Sequence, residues 1–208
     1  MKKITKIEEQ KKRKNRVSIF LDGSFFCGIP EALLLKLDLF EGKEVDEEET
    51  GKLIEEKELA EAKQKVIRLF NRRIYSEQEI REKLKKRGYE EGIIEEVMVE
   101  LKDTSLLDDY AFAKAFVHDR LSLKPKGSFQ IAYELKNKGI SKEIIERVFS
   151  EEKVVEGDFD RAFAVAKKRL EILKSIKDKK TIKRRLYNFL LTRGFSYEVI
   201  KGVLDKLI

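Results

Sequence analysis

The sequence holds one cysteine, one histidine, two prolines and no tryptophan, and most of these scarcities exclude something. A lone Cys27 rules out a disulfide within the chain and any cysteine-rich zinc site. In the apolar run Phe25-Phe26-Cys27 it reads as a small buried hydrophobe. His118 has no second imidazole with which to share a metal and is far in sequence from Cys27, so it is expected on a helix surface rather than as a ligand or base. With prolines only at Pro30 and Pro125, long stretches stay open to helix. No run approaches the roughly 20 apolar residues of a membrane span. The charged start MKKITKIEEQKKRKNR has no apolar core behind it and is no secretory signal. A cytoplasmic protein without membrane association is the expectation.

Catalytic motifs are missing as well. There is no Walker-type glycine loop, no dinucleotide-binding Gly-x-Gly-x-x-Gly, no zinc-protease His-Glu-x-x-His and no Gly-x-Ser-x-Gly elbow. Paired acids are common, but a glycosidase-type pair requires an apolar cleft that a sequence does not display. Leu107-Asp108-Asp109 is the most noticeable acidic pair. Two adjacent carboxylates opening a helix are explained better by capping and favourable dipole contacts than by a metal. The expectation is a protein that is not an enzyme and takes no metal and no cofactor.

Charge and patterning are what the chain has in quantity. Charged and hydrophobic residues each make up 41%, which suits helices that each bury one stripe rather than a single thick core. The net charge of +7 is uneven: −2 over residues 1–60, −1 over 61–109, +2 over 110–157 and +8 over 158–208. The asymmetry favours a polyanionic partner, with a solvated lysine-rich surface as the alternative. Near the N-terminus, Val17, Ile19 and Leu21 alternate with Ser18, Phe20 and Asp22, and Asp22-Gly23 supplies a tight turn, so residues 16–29 predict a β-hairpin. Pro30 is placed to open a short helix through Leu37. The acidic stretch Glu44 to Glu49 reads as a loop feeding a helix, with Thr50 or an earlier Asp as cap.

From about residue 58 the pattern is helical and repetitive. Gly88, Gly139 and Gly194 lie 51 and 55 residues apart. Four residues before them stand Leu84, Leu135 and Leu190; eight before, Ile80, Ile131 and Leu186. One residue after come Tyr89, Ile140 and Phe195, and positions +5, +6, +9 and +10 are apolar in all three copies. The −8 and −4 residues share a face of a helix that stops at the glycine, where a left-handed cap costs little. The +2 residues are Glu90, Ser141 and Ser196, the last two good N-caps. The later apolar set is the inner face of a following helix. A preceding helix completes each unit, through Ala62, Val66, Leu69, Phe70 and Ile74 in the first, Phe112, Phe116 and Val117 in the second, and Ala162, Phe163, Ala166 and Leu170 in the third. Ser76 with Glu79 forms a capping-box pattern, and Gly127-Ser128 opens the matching helix of the second unit.

The predicted fold is therefore all-α: three tandem three-helix, helix-turn-helix-like repeats in an elongated curved array, behind a small N-terminal extension that contains a β-hairpin. The divisions are 1–57, 58–107, 108–156 and 157–208, and the nine repeat helices are expected to run roughly 10–18 residues each. Every repeat places cations near the joint between its first and second helices: Arg72 and Arg73, then Lys124 and Lys126, then Lys168, Lys179, Lys180, Lys183 and Arg184. A recurring basic ridge suits phosphate or an acidic protein groove. The alternative is that these cations merely complement helix dipoles at C-termini.

Several of these segments resemble the bacterial RecX regulatory family: Arg73-Ile74-Tyr75-Ser76-Glu77-Gln78-Glu79-Ile80, Leu84-Lys85-Lys86-Arg87-Gly88-Tyr89, Leu106-Leu107-Asp108-Asp109-Tyr110-Ala111-Phe112-Ala113, Lys124-Pro125-Lys126-Gly127 and Glu134-Leu135-Lys136-Asn137-Lys138-Gly139-Ile140. The likeness is strongest over residues 66–149 and weakest by motif in the third unit. It implies a modulator of RecA that lies in the groove of the RecA–DNA filament or interferes with its growth, dampening ATP hydrolysis, strand exchange and co-protease activity. The chain is expected to be a monomer. It places the protein in DNA recombination, DNA repair and the SOS response. Single- or double-stranded DNA is an expected partner, directly or through RecA. Two other readings stay open from the residues alone: an autonomous DNA-binding helical repeat protein, and a plain helical scaffold.

Overall fold

The computed structural model describes residues 1–10, 15–123 and 125–208. They form two compact units, Met1–Arg73 with Ile80–Leu106, and Ile74–Glu79 with Leu107–Ile208.

The first unit opens with a four-stranded antiparallel sheet of strand order β3-β2-β1-β4, built from β1 (Lys2–Glu9), β2 (Arg16–Leu21), β3 (Ser24–Pro30) and β4 (Glu44–Val45). The expected hairpin is β2–β3. Its turn residues Asp22 and Gly23 sit at φ 48° and 83°, the pair of positive values that a two-residue turn matched to strand twist demands. The alternation in β2 buries Val17, Ile19 and Leu21, which pack with Ile4, Cys27, Ile29, Leu33, Val45 and Leu53. Burial pushes the Cys27 thiol up from its ordinary value, as befits a packing residue.

β1 was not legible in the sequence, because Ile4 and Ile7 are its only inward residues amid Lys2, Lys3, Lys6, Glu8 and Glu9. Pro30 ends β3 rather than opening a helix, and α1 is the short Ala32–Lys36. Glu44–Glu49 is not a loop: β4 is followed by the N-cap Asp46, whose carboxylate accepts from the Glu49 N–H while Glu49 reaches back to the Asp46 N–H. Glu47, Glu48 and Glu49 then occupy the positive end of the helix dipole. The resulting α2 runs 24 residues, Glu47–Phe70, so the 57/58 division falls inside one helix. Ile74 lies beyond the end of α2 and is 46% exposed, not part of its inner face.

After α2 come α3 (Glu77–Lys85) and α4 (Glu91–Asp103), then α5 (Asp109–Ser122), α6 (Ser128–Lys136) and α7 (Lys142–Glu151), then α8 (Asp158–Leu173), α9 (Lys179–Thr192) and α10 (Tyr197–Leu207). These are the three predicted three-helix repeats, with α2 longer and α3 and α6, at nine residues each, shorter than expected. The glycine stops behave as the spacing requires. Gly88, Gly139 and Gly194 have φ of 82°, 79° and 78°. In each copy the N–H one residue after the glycine donates to the carbonyl of the leucine four residues before it: Tyr89 to Leu84 at 3.4 Å, Ile140 to Leu135 at 3.1 Å and Phe195 to Leu190 at 3.3 Å. Ser141 and Ser196 cap α7 and α10 by accepting from Ile144 and Val199. The second repeat closes around Phe112, Ala113, Val117, Ile131, Leu135, Ile140, Ile145 and Val148, and the third around Ala162, Ala166, Leu186, Leu190, Phe195, Ile200, Val203 and Leu204. His118 is exposed on α5.

Within the second unit the repeats are joined by one device used twice. The Asp109 carboxylate, in the first turn of α5, accepts from the Glu77 N–H at the start of α3. Asp158, in the first turn of α8, accepts from the Ser128 N–H at the start of α6 and from the Ser128 hydroxyl at 2.6 Å. Each acid thus satisfies one orphan N–H donor of a helix in the preceding repeat. Asp158 is buried and also held by Arg161 at 2.6 Å. Beside it the backbones touch: Gly127 N–H donates to Arg193 carbonyl at 2.8 Å, and Phe129 N–H to Gly194 carbonyl at 3.2 Å. A Cβ on Gly127 would fall 2.2 Å from the Gly194 oxygen.

Gly127→Ala is expected to lower stability by about 1–3 kcal/mol, because a backbone atom cannot step aside as a side chain can. Asp158→Ala is expected to cost about 3–5 kcal/mol, since it removes a buried carboxylate from the half-buried Arg161 and from the Ser128 N–H. Urea unfolding of the full chain reads both, and wild-type midpoints in either variant would refute the junction.

Candidate functional site

The sequence placed a basic ridge at the joint between the first and second helices of each repeat, and the structure gives those cations different settings. Arg72 and Arg73 lie in the segment between α2 and α3 and are exposed. Lys124 lies outside the described residues. Lys126 is half-buried and pairs with Glu134 on α6. Arg120 from the end of α5 reaches the same carboxylate at 2.8 Å, and Gln130 donates to it at 3.1 Å. Burial works to raise the Glu134 carboxyl, but the hydrogen bonds from Lys126, Arg120 and Gln130 outweigh it and hold the group at about 2. Lys126 therefore braces α6 against the end of α5, and an outside anion has to compete with Glu134 for it.

The third repeat is different. Its ion pairs among the described residues are Arg161 with Asp158, Lys174 with Glu171, and Lys183 with Asp205 at 3.5 Å. Lys168, Lys179, Lys180 and Arg184 are exposed and form no ion pair among the described residues. Lys183 and Asp205 are both more than half exposed, the kind of surface pair that contributes about 0–1 kcal/mol.

Helix direction decides between the two explanations left open for these cations. Lys179 and Lys180 form the first turn of α9, with Lys183 and Arg184 one turn on, and that first turn has no acid of its own. The N-terminal end of a helix carries the positive pole, so each cation there is unfavourable by about 0.3–1 kcal/mol at an exposed site. Asp178 offsets part of this as N-cap, accepting from the Lys180 and Thr181 N–H groups and from the Thr181 hydroxyl; those bonds lower its pKa. Lys168 is likewise not in the last turn of α8. Dipole complementation does not account for the cations of the third repeat.

Arg185, in the same basic run as Arg184, is exposed beside it and belongs to the same field. One feature of the surface escaped the sequence reading. Phe129 and Tyr133, one turn apart on α6, are 65% and 61% exposed, with Lys136 and Asn137 one turn further on and also exposed. Their outward direction follows from Ile131 and Leu135 being the inward pair of α6, a signal present in the repeat spacing but not followed to the opposite face. Among the described residues no group of three or more His, Cys, Asp or Glu side chains is arranged to hold a metal ion, and no helix is long and apolar enough to cross a membrane.

The comparisons with known proteins agree with this layout. Residues 2–46 match the model of the regulatory protein RecX N-terminal domain. Residues 62–101, 108–148 and 156–204 match those of the first, second and third RecX three-helix domains. The chain is 36% identical over 206 residues to regulatory protein RecX of Clostridioides difficile (strain 630), covering 99% of this chain and 95% of that protein. It is 34% identical over 209 residues to the RecX of Clostridium botulinum (strain Eklund 17B / Type B), covering 100% and 97%. A crystal structure of regulatory protein RecX superimposes with a TM-score of 0.75 at 27% identity, covering 99% of this chain and all of that one. RecX from Lactobacillus salivarius shares the fold, with a TM-score of 0.61 at 22% identity over 72% of this chain and 96% of that one.

The Glu134 cluster makes a pH prediction. A carboxyl held below its ordinary 4.5 contributes stability that is fully present above that value and is lost as pH falls towards 2. Glu134→Gln is expected to flatten part of the fall in melting temperature between pH 4.5 and about 2; an acid profile identical to that of the parent would contradict the assignment.

Proposed function

The chain belongs to the RecX regulatory protein family, and from that membership we propose that it binds the RecA–DNA filament and dampens RecA ATP hydrolysis, strand exchange and co-protease activity. It acts by binding, without chemistry of its own, in the cytoplasm and in the service of recombination and repair. A ligand shifts a conformational equilibrium only through differential affinity for its states, so inhibition requires a tighter grip on a filament state that cycles nucleotide poorly.

The observation that carries this reading is the cation set of the third repeat. Lys179 and Lys180 stand at the wrong end of α9 for the helix dipole, and with Arg184 one turn on they form no ion pair among the described residues. They cost the isolated chain stability and are useful against an anionic surface. Lys168 and Lys183 widen the same set, and Arg72 and Arg73 supply exposed cations in the first repeat. The Lys126–Glu134 pair makes the second repeat the weaker contributor.

Direct binding of single-stranded DNA is a second reading, favoured by the exposed Phe129 and Tyr133 on α6. Bases stack on such rings irrespective of sequence, at about 1–3 kcal/mol each. A mobility-shift titration with and without RecA separates the two, because the filament reading requires RecA for tight binding.

Substoichiometric chain added to RecA on single-stranded DNA is expected to slow ATP hydrolysis. Charge reversal at Lys179, Lys180 and Arg184 together should weaken that inhibition at least tenfold. It should also flatten its dependence on salt, by about 0.7 in log–log slope for each single-strand phosphate that is no longer neutralised. Inhibition equal to that of the parent, with an unchanged salt slope, would remove these residues from the interface.

A further inference from the structure

The three repeats differ in what stands between their second and third helices. In the first repeat Arg81 crosses from α3 to α4 and grips Glu95 with both terminal guanidinium nitrogens, one of them at 2.9 Å, with Glu91 at 4.0 Å. In the third repeat Tyr187 stands at the corresponding place, seven residues before the glycine, and packs onto the core. In the second repeat that place belongs to Ala132. The small side chain leaves the space open as a cleft of about 430 Å³, lined by Ala132, Ile145, Phe149 and Val155 and rimmed by Lys136, Lys142, Glu146 and Glu156. Glu146 is the repeat equivalent of Glu95, seven residues after the glycine, and its only ion pair among the described residues is an exposed one with Lys142 at 3.5 Å.

We propose that the cleft between α6 and α7 is a docking pocket for an arginine side chain presented by a protein partner, in the place that Arg81 fills in the first repeat. The chemistry of the lining fits that occupant. An arginine stem covers apolar surface while its head stays polar, so Ala132, Ile145 and Val155 receive the methylenes. The planar guanidinium meets Glu146 and Glu156 and lies near the half-buried Phe149 ring, an arrangement a lysine ammonium does not reproduce bidentately. Lys136 and Lys142 on the other side of the rim ask for a carboxylate close to that arginine in the partner chain. The cleft lies in a volume range usual for small recognition sites. A partner that is the RecA filament makes this pocket a second, protein-directed contact beside the cations of α9, and that step alone rests on the function proposed above.

The test uses the full chain, isotopically labelled, titrated with N-acetyl-arginine methylamide, with the lysine and phenylalanine analogues as controls. The arginine compound is expected to shift backbone resonances of Ala132, Lys136, Ile145, Glu146 and Ser150. Glu146→Gln should weaken the response at least fivefold, and Ala132→Arg should abolish it without lowering the melting temperature. Equal response to the lysine compound, a stronger response to the phenylalanine compound, or an undiminished response in Ala132→Arg would each overturn the pocket. A second arm measures binding to RecA-coated single-stranded DNA, where Ala132→Arg should bind at least fivefold more weakly than the parent. A parent that ignores the filament would defeat the proposed function while the amino-acid arm still judges the pocket. A parent that binds and an Ala132→Arg chain that binds equally would defeat the pocket alone.

Discussion

The repeat depends on how it ends its second helix. A glycine in the left-handed region lets the following N–H return to the carbonyl of a leucine whose side chain is buried. One short turn therefore closes the helix, aims the next one and commits both to the same small core. A three-helix unit of about 50 residues has little apolar surface to bury and is marginal alone. Junctions carry the remainder: Asp109 and Asp158 finish helices that belong to the repeat before their own, and Gly127 lets two backbones bond where any Cβ would separate them. Stability in such a chain lies in the seams as much as in the cores.

The same logic sorts the charges. A cation satisfied inside the fold, as Lys126 is by Glu134, serves architecture. A cation set against a helix dipole without an ion pair among the described residues, as at Lys179 and Lys180, costs the isolated protein stability and is available to an anionic partner. The third repeat concentrates cations of the second kind, in keeping with its excess of +8 over residues 158–208. The second and third helices show a comparable contrast: bridged by Arg81 and Glu95 in the first repeat, with an open cleft beside Ala132 in the second.

How far the sequence could be read follows from how local each interaction is. The glycine stops, the Ser141 and Ser196 caps and the inward faces of the repeat helices obey fixed offsets, and three copies make those offsets visible. The Asp22-Gly23 hairpin was legible for the same reason. Strand β1 was not, because two inward isoleucines among charges carry no clear period and the strand is defined by its neighbours. Asp108 was correctly expected to cap α5, but the reach of Asp109 to Glu77, 32 residues away, has no local mark. Gly127 has ordinary helix-entry backbone angles, so its need to be glycine arises only from what lies beside it. The cation positions were readable one by one, while the distinction between Lys126 and Lys179 required knowing which carboxylates stand nearby.

The proposed contact of the third repeat with the filament runs through α9 and the neighbouring part of α8. Lysine acetylation footprinting of the chain, free and bound to RecA-coated single-stranded DNA, tests it directly. Lys168, Lys179, Lys180 and Lys183 are predicted to become protected several-fold while Lys52, exposed on α2, reacts as before. Protection spread evenly over the chain, or confined to residues 1–106, would contradict it.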